Sequence, residues 1–146
     1  MRNDKYTIRI GNIAVDDYLR LRSSTNWGTV SDAAIAESFS SHQFCVHAVN
    51  EQSEVIGVAR VVGDRMYAYV QDLIVEPRCR RKGIGTRLMK EVLKYLDANA
   101  GAGGFVGLMA AKGTMPFYRN LGFITRPDDA PGMQIASPNV ARHEFE

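Results

Sequence analysis

The sequence has little that would staple a chain together. Its two cysteines, Cys45 and Cys79, lie far apart and match neither a Cys-x-x-Cys motif nor a zinc-ligand spacing, so both read as free thiols. Long apolar runs are also missing. The stretch from Val55 to Val62 is interrupted within a few residues and falls well short of a membrane span. Strand-like alternation, rather than an apolar leader, follows Met1-Arg2-Asn3-Asp4-Lys5, and cytoplasmic residence is therefore the expectation. Neither charge dominates. Eighteen Lys and Arg against sixteen Asp and Glu leave a formal net charge of +2, too weak a field to suggest nucleic acid or a membrane as partner. Any anion site must be local.

There is no internal repeat, low-complexity tract or linker, and 146 residues fit a single domain, 1–146, able to bury its own core. Tyr6, Ile8 and Ile10 alternate with Thr7 and Arg9, as a first strand with one buried face would. Val15, Tyr18, Leu19 and Leu21 have helical spacing, and Ser31-Asp32 can cap a second helix through Ile35 toward Phe39. The polar loop between them, Ser23 to Val30, carries the lone tryptophan, Trp27. Residues 44–49, 55–62 and 67–75 are rich in β-branched and aromatic residues and punctuated by turn formers, which reads as an antiparallel meander with His42 and His47 as ordinary strand residues.

The period then changes. Ile84, Leu88, Val92 and Leu96 fall four apart, with Arg87, Lys90, Glu91, Lys94 and Asp97 on the other face, predicting a helix over 84–97. The glycine-rich stretch from Asn99 to Gly104 ends it, and Phe105 to Met109 reads as a buried strand reached by a parallel crossover. Thr114 to Leu121 predicts one more helix, with Pro116 in its first turn and Gly122 as its stop. Phe123-Ile124 and the segment around Met133 to Ile135 read as edge strands, separated by the turn-prone residues 126–132. The fold class is α/β in the α+β sense, a mixed sheet with flanking helices.

Between the third meander strand and the strong helix lies Arg80-Arg81-Lys82-Gly83-Ile84-Gly85. A helix N-terminus offers unpaired amide hydrogens and a positive dipole end, and Gly83 and Gly85 let a backbone approach an anion closely. Arg78, Arg80, Arg81 and Lys82 supply cations, and Thr86 a hydroxyl in the first turn. The spacing is not that of a Walker loop. It is not a dinucleotide fingerprint either, because position 88, where the third glycine would stand, is leucine. Taken alone, Gly-x-Gly is more often a turn with solvated arginines.

Context changes that weighing. Arg80-x-x-Gly83-x-Gly85 after Asp72-Leu73-Ile74-Val75, with Phe117-Tyr118-Arg119-Asn120-Leu121-Gly122-Phe123 some way beyond, resembles the GNAT superfamily of N-acetyltransferases. The resemblance is sharpest over residues 67–124, and the element order outside them agrees. It implies a sheet splayed between the last meander strand and the strand at Phe105, with acetyl-CoA as cosubstrate and no metal. It assigns backbone groups of Leu73 and Val75 to the pantetheine arm and amides from Arg81 through Lys82, Gly83 and Ile84 to Gly85 to the pyrophosphate. Tyr118 falls on the tyrosine that stands near the thioester sulfur. Ala111 departs from the family, many members of which have asparagine there.

Direct attack of an amine on a thioester needs a base, a polarised carbonyl and a proton for the thiolate. Asp72 is the first candidate base, although alternation sets it on the opposite strand face from Leu73 and Val75 and a structural tie to a nearby arginine is an equal alternative. A strand amide near Leu73 or Ile74 suits the carbonyl, and Tyr118 suits the proton. Read without the resemblance, Tyr118 is a packing aromatic beside Phe117 and Phe123. No histidine is spaced to activate Cys45 or Cys79 for a covalent route. Trp27 and Tyr69 are candidate acceptor-wall residues, with Tyr67 and residues 126–133 beside them, while a loop anchor is the alternative for Trp27. The expected acceptor is a small-molecule primary amine. A protein lysine or N-terminus and a non-catalytic acyl-CoA-binding regulatory module are the rival classes, and edge strands near the C-terminus are compatible with a homodimer.

Overall fold

The computed structural model describes residues 5–135. In chain order the elements are β1 (Tyr6–Ile10), α1 (Val15–Arg22), α2 (Asp32–Ser41), β2 (Phe44–Asn50), β3 (Val55–Gly63) and β4 (Tyr67–Val75). There follow α3 (Ile84–Asn99), β5 (Phe105–Gly107) and α4 (Met115–Asn120). The chain divides into two compact units after Leu108, the first holding the sheet and α1 to α3, the second α4.

The five strands run in the order β1-β2-β3-β4-β5, antiparallel as far as β4, with β5 parallel to β4. This is the mixed sheet expected from the change of period at residue 84. β3 is buried on both faces because both faces are covered. On one side Val58 packs with Tyr18, Leu21, Ile35 and Phe39, contributed by α1 and α2. On the other, a Cβ added to Gly57 would lie 3.1 Å from Leu88 Cδ1 and 3.3 Å from Ile84 Cγ2, so glycine lets α3 lie close against the strand. The buried face of α3 is Ile84, Leu88, Met89, Val92 and Leu96, the stripe its spacing predicts. Each such side chain contributes roughly 1.5–3 kcal/mol by leaving water. At the N-terminus of α2 the Ser31 side chain accepts from the Ala34 N–H at 3.2 Å, as expected of a cap.

The β3–β4 hairpin needs its glycine for a different reason. Gly63 has φ +111, and a Cβ there would sit 1.9 Å from Tyr67 O. Asp64 completes the turn, its Oδ1 accepting from the N–H groups of Met66 and Tyr67.

Three expectations need correction. The strand at Phe105 stops at Gly107 rather than Met109. Neither Phe123-Ile124 nor Met133 to Ile135 is a strand among the described residues. The Phe123 N–H is used to close α4, donating to Tyr118 O, while Pro127 and Pro131 lack the donors a ladder requires. His42 is not a strand residue but the C-cap of α2, its N–H bonded to Ser38 O. The turn over 126–132 does form, with Ala130 N–H donating to Pro127 O. No helix among the described residues is long and apolar enough to cross a membrane.

Gly57→Val would drive branched methyls into Leu88 and Ile84. It is expected to cost about 1–3 kcal/mol in denaturant unfolding, as overpacking does, and an unchanged midpoint would show that α3 does not rest on this close approach.

Candidate active site

β3 and β4 do not pair in simple register. Arg60 lies opposite Gln71 and Val58 opposite Ile74, so β3 advances from 60 to 58, two positions, while β4 advances from 71 to 74, three. β4 therefore carries one extra residue, a β-bulge, and Asp72 within it adopts φ +56. That left-handed conformation is uncommon for any residue but glycine, although aspartate enters it more readily than most.

The bulge reverses which backbone groups face which neighbour. At the start of β4, Tyr67 C=O accepts from Asp64 N–H and faces β3, while Met66 C=O accepts from Phe105 N–H on the β5 side. Unbroken alternation would turn Leu73 and Val75 toward β3. Instead Glu76 N–H donates to Ile56 O. Ile74 therefore faces β3, and Leu73 and Val75 direct their N–H and C=O groups to the opposite edge. Pairing with β5 ends at Tyr69↔Gly107, so among the described residues no strand is bonded to that edge from Val70 to Val75. The opening implied by the family resemblance is present in the pairing. Side chains switch too: Val70 lies opposite Val61 on the α3 face, whereas Ile74 joins the cluster of Tyr18, Ile35 and Phe39.

Two arginines hold the bulge. Arg60 Nε donates to Asp72 Oδ2 at 2.6 Å, and Arg22 Nη1 lies 3.5 Å from Asp72 Oδ1, with side-chain exposures of 12%, 16% and 8% for Arg60, Arg22 and Asp72. At such burial, solvent and salt screen the pairs weakly. Arg60 also donates to Ser38 Oγ at 2.6 Å and lies over the Phe39 ring at 5.1 Å. Arg22 donates to Tyr18 Oη at 2.8 Å and to Gly28 O at 3.2 Å. Burial, followed by the Asp72 carboxylate, pushes the Tyr18 phenol up. Of the two sequence readings of Asp72, base or structural tie, these contacts favour the tie.

The network ends at His42. A guanidinium has no acceptor, so the 3.3 Å contact from Arg60 Nη1 makes His42 Nδ1 the acceptor and puts the ring proton on Nε2. Nε2 then donates to Asn12 Oδ1 at 2.5 Å, and Asn12 Nδ2 donates to Phe39 O at 2.8 Å. Burial, then the Arg60 charge, lower the His42 value. Sequence reading missed this network because residues in direct contact lie up to 50 positions apart, Arg22 and Asp72 the furthest such pair; an aspartate within an apolar strand was its one local sign.

The phosphate-loop candidates sit together at the head of α3. Gly83 is the N-cap, at φ +82 and without a side-chain cap, and Arg81 is also left-handed at φ +63. Such turns let successive N–H groups converge on an anion. The first bond into the helix is Arg87 N–H to Gly83 O. The N–H groups of Gly83, Ile84, Gly85 and Thr86 therefore have no acceptor within the helix. Space is open at Gly83, where an added Cβ would meet nothing within 4 Å. These donors suit a diphosphate. The side-chain cations divide their duties: Arg78 pairs with Glu54 and Glu76 at 3.1 and 3.0 Å, and Arg80 Nε donates to Val75 O, tying the loop to the end of β4. Arg81 and Lys82 are exposed.

Trp27 is 40% exposed, with the Arg22 guanidinium 5.9 Å from its ring centre, and Tyr69 is 39% exposed, its ring 5.6 Å from that of Phe105. In the second unit Tyr118 lies on α4, edge-on to Phe117 at 5.1 Å and to Phe123 at 5.8 Å, and burial raises its phenol. Burial likewise pushes the Cys45 thiol to about 11, and burial followed by Glu76 raises Cys79, so neither is a ready nucleophile. The His42 shift sets a pH signature. Its folded value lies below the ordinary value of about 6.5, so the stability associated with the neutral ring is complete above that pH and lost as pH falls through the folded value. From about pH 7.5 to about 5.5 the protein is expected to lose more melting temperature than His42→Gln does, and equal losses would contradict the assignment.

Comparison with known proteins agrees with this geometry. A family model described as an acetyltransferase (GNAT) domain matches residues 15–131. The chain is 34% identical over 86 residues to the histone acetyltransferase TAP1 of Glycine max, covering 58% of this chain and 36% of that protein. It is 34% identical over 79 residues to the chloroplastic serotonin N-acetyltransferase 2 of Oryza sativa subsp. japonica, covering 53% of this chain and 38% of that one. The matches thus span less than two-fifths of these relatives' length. The structure of a GNAT-family acetyltransferase from Streptococcus pneumoniae superposes with a TM-score of 0.77 at 29% identity, covering 92% of this chain and 100% of that one. With its mixed sheet, its open β4 edge and the glycine turn at the head of α3, this chain belongs to the GNAT family of acetyltransferases.

Proposed function

We propose that the chain transfers an acetyl group from acetyl-CoA to the primary amine of a small molecule by direct attack. The observation that carries this reading is the succession of two sets of backbone donors: Leu73 and Val75 on the open edge of β4, then Gly83 to Thr86 at the start of α3. In this reading the first set holds the pantetheine arm and the second the pyrophosphate, with Arg81 and Lys82 beside it. Acetyl-CoA supplies an acetyl group activated as a thioester. We assign polarisation of its carbonyl to the Leu73 N–H rather than to Ile74, because Ile74 faces β3.

The amine nitrogen bonds to the acetyl carbon as the carbon–sulfur bond breaks. One proton leaves the amine and the thiolate takes one from Tyr118; the proton released by the amine then restores the Tyr118 phenol through water. Burial keeps the Tyr118 phenol protonated at neutral pH, which suits an acid. An alkyl ammonium of pKa about 10.4 must first lose a proton. Both Asp72 oxygens are engaged by arginines, which supports a water relay over Asp72 as the acceptor of that proton.

Half-exposed Trp27 and Tyr69 offer apolar and cation–π contact to a small amine, and the similarity to a serotonin N-acetyltransferase points the same way. The similarity to a histone acetyltransferase favours the second reading, transfer to a protein lysine or N-terminus. Cytoplasmic residence remains part of the proposal. Release of free thiol from acetyl-CoA, measured across small amines and lysine peptides, tests it: small amines are expected to turn over faster. Tyr118→Phe is expected to lose roughly 10²- to 10⁴-fold in kcat while keeping CoA affinity, and loss of both together would make Tyr118 a packing residue.

A further inference from the structure

We propose that Arg60, supported by Arg22, is a positioning residue for the acyl donor: by gripping Asp72 it fixes the bulge that turns the Leu73 amide to the open edge of β4. The inference rests on the assignment of Leu73 to the thioester carbonyl made above. It adds residues of β3 and α1 that belong to none of the phosphate, pantetheine or acceptor sets.

Two pairings of β3 with β4 compete. Without the extra residue, the alternation set by Tyr67 and Met66 would run on, Leu73 and Val75 would bond to β3, and Ile74 would face the open edge. With it, the assignment reverses. Nothing in the apolar side chains of β4 selects strongly between the two, because both faces of the sheet are covered and β3 is buried on each. Asp72 at φ +56 is the residue that distinguishes them, and an L residue seldom remains in that conformation without something holding it.

Arg60 is placed to do the holding. It stands opposite Gln71, next to the extra residue, and reaches Asp72 Oδ2 at 2.6 Å. Its own position is over-determined by Ser38 Oγ, His42 Nδ1 and the Phe39 ring, all from α2 or its cap. Arg22 engages the other carboxylate oxygen from α1. The bulge is thus clamped to the helices of one face while its backbone presents groups to the sheet edge.

The carbonyl stretch of acetyl-CoA labelled with carbon-13 at the thioester, read by difference infrared spectroscopy on the full chain, tests this without knowledge of the acceptor. Bound to the wild-type protein, the band is expected to move to lower frequency, as a carbonyl does on accepting a hydrogen bond. Arg60→Met is expected to lose most of that displacement while CoA still binds through the amides of Gly83 to Thr86. Adding Asp72→Gly to Arg60→Met is expected to restore it, because glycine takes a positive φ without a clamp. Should Arg60→Met not fold, Arg60→Lys replaces it with the same expected loss, since an ammonium cannot bridge Asp72, Ser38 and His42 together. Full displacement retained in the Arg60 variant, or no recovery in the double variant, would overturn the positioning role. No displacement in the wild type with CoA bound would overturn both this role and the Leu73 assignment while leaving the phosphate loop intact. Failure of the wild type to bind CoA would instead overturn the proposed activity.

Discussion

Arg60 Nε meets Asp72 Oδ2 at the point where β4 carries one residue more than β3, and most of what is distinctive about the first unit follows from that contact. A buried ion pair is seldom a large source of net stability, because desolvation offsets the attraction. Its value here is selective: it favours one of two strand registers. Loss of the shared Asp72 carboxylate leaves the largely buried Arg60 and Arg22 charges without their partner, and breaking a buried pair in this way typically costs about 3–5 kcal/mol. The same contact draws in Ser38, His42 and, through Arg22, Tyr18, and so connects the packing of α1 and α2 to the backbone direction of Leu73.

Much of the architecture was legible in the sequence, because it depends on periodicity and punctuation, which are local. The stripe of Ile84, Leu88, Val92 and Leu96, the Ser31 cap and the turn at Gly63 needed no partner to be recognised. The glycine turn at the head of α3 was legible for the same reason, as glycines and cations at the entrance to a helix. The bulge was not. Ala68, Val70 and Ile74 have one parity and look like a continuous buried face, yet Val70 lies on the α3 side and Ile74 on the α1–α2 side. An inserted residue and an uninterrupted alternation are indistinguishable in a string of letters when both faces are apolar. The proposed edge strands at Phe123 and Met133 failed for the converse reason: β-prone side chains were present, but the Phe123 N–H already closed α4.

The two families of donors differ in how firmly they are held. The amides at the head of α3 are fixed by a helix whose buried face is anchored against Gly57, so their direction follows from the helix itself. The outward groups of Leu73 and Val75 depend instead on a left-handed aspartate and its arginines. The proposed grip on a phosphate and the proposed alignment of a reacting carbonyl therefore rest on separate parts of the unit, and substitutions can affect one set of donors without the other. The acceptor side is less determined. Arg22 links Asp72 to the loop of Trp27, donating to Gly28 O and lying over the indole, so the wall proposed for the amine is tied to the same carboxylate that shapes the bulge.

On the proposed function, backbone N–H groups of β4 and of the first turn of α3 receive CoA. Amide chemical shifts of nitrogen-15-labelled protein, followed as CoA is added, test it most directly. The largest changes are expected at Leu73, Val75 and Gly83 to Thr86. Saturable binding that leaves those amides unmoved, or the absence of binding, would contradict it.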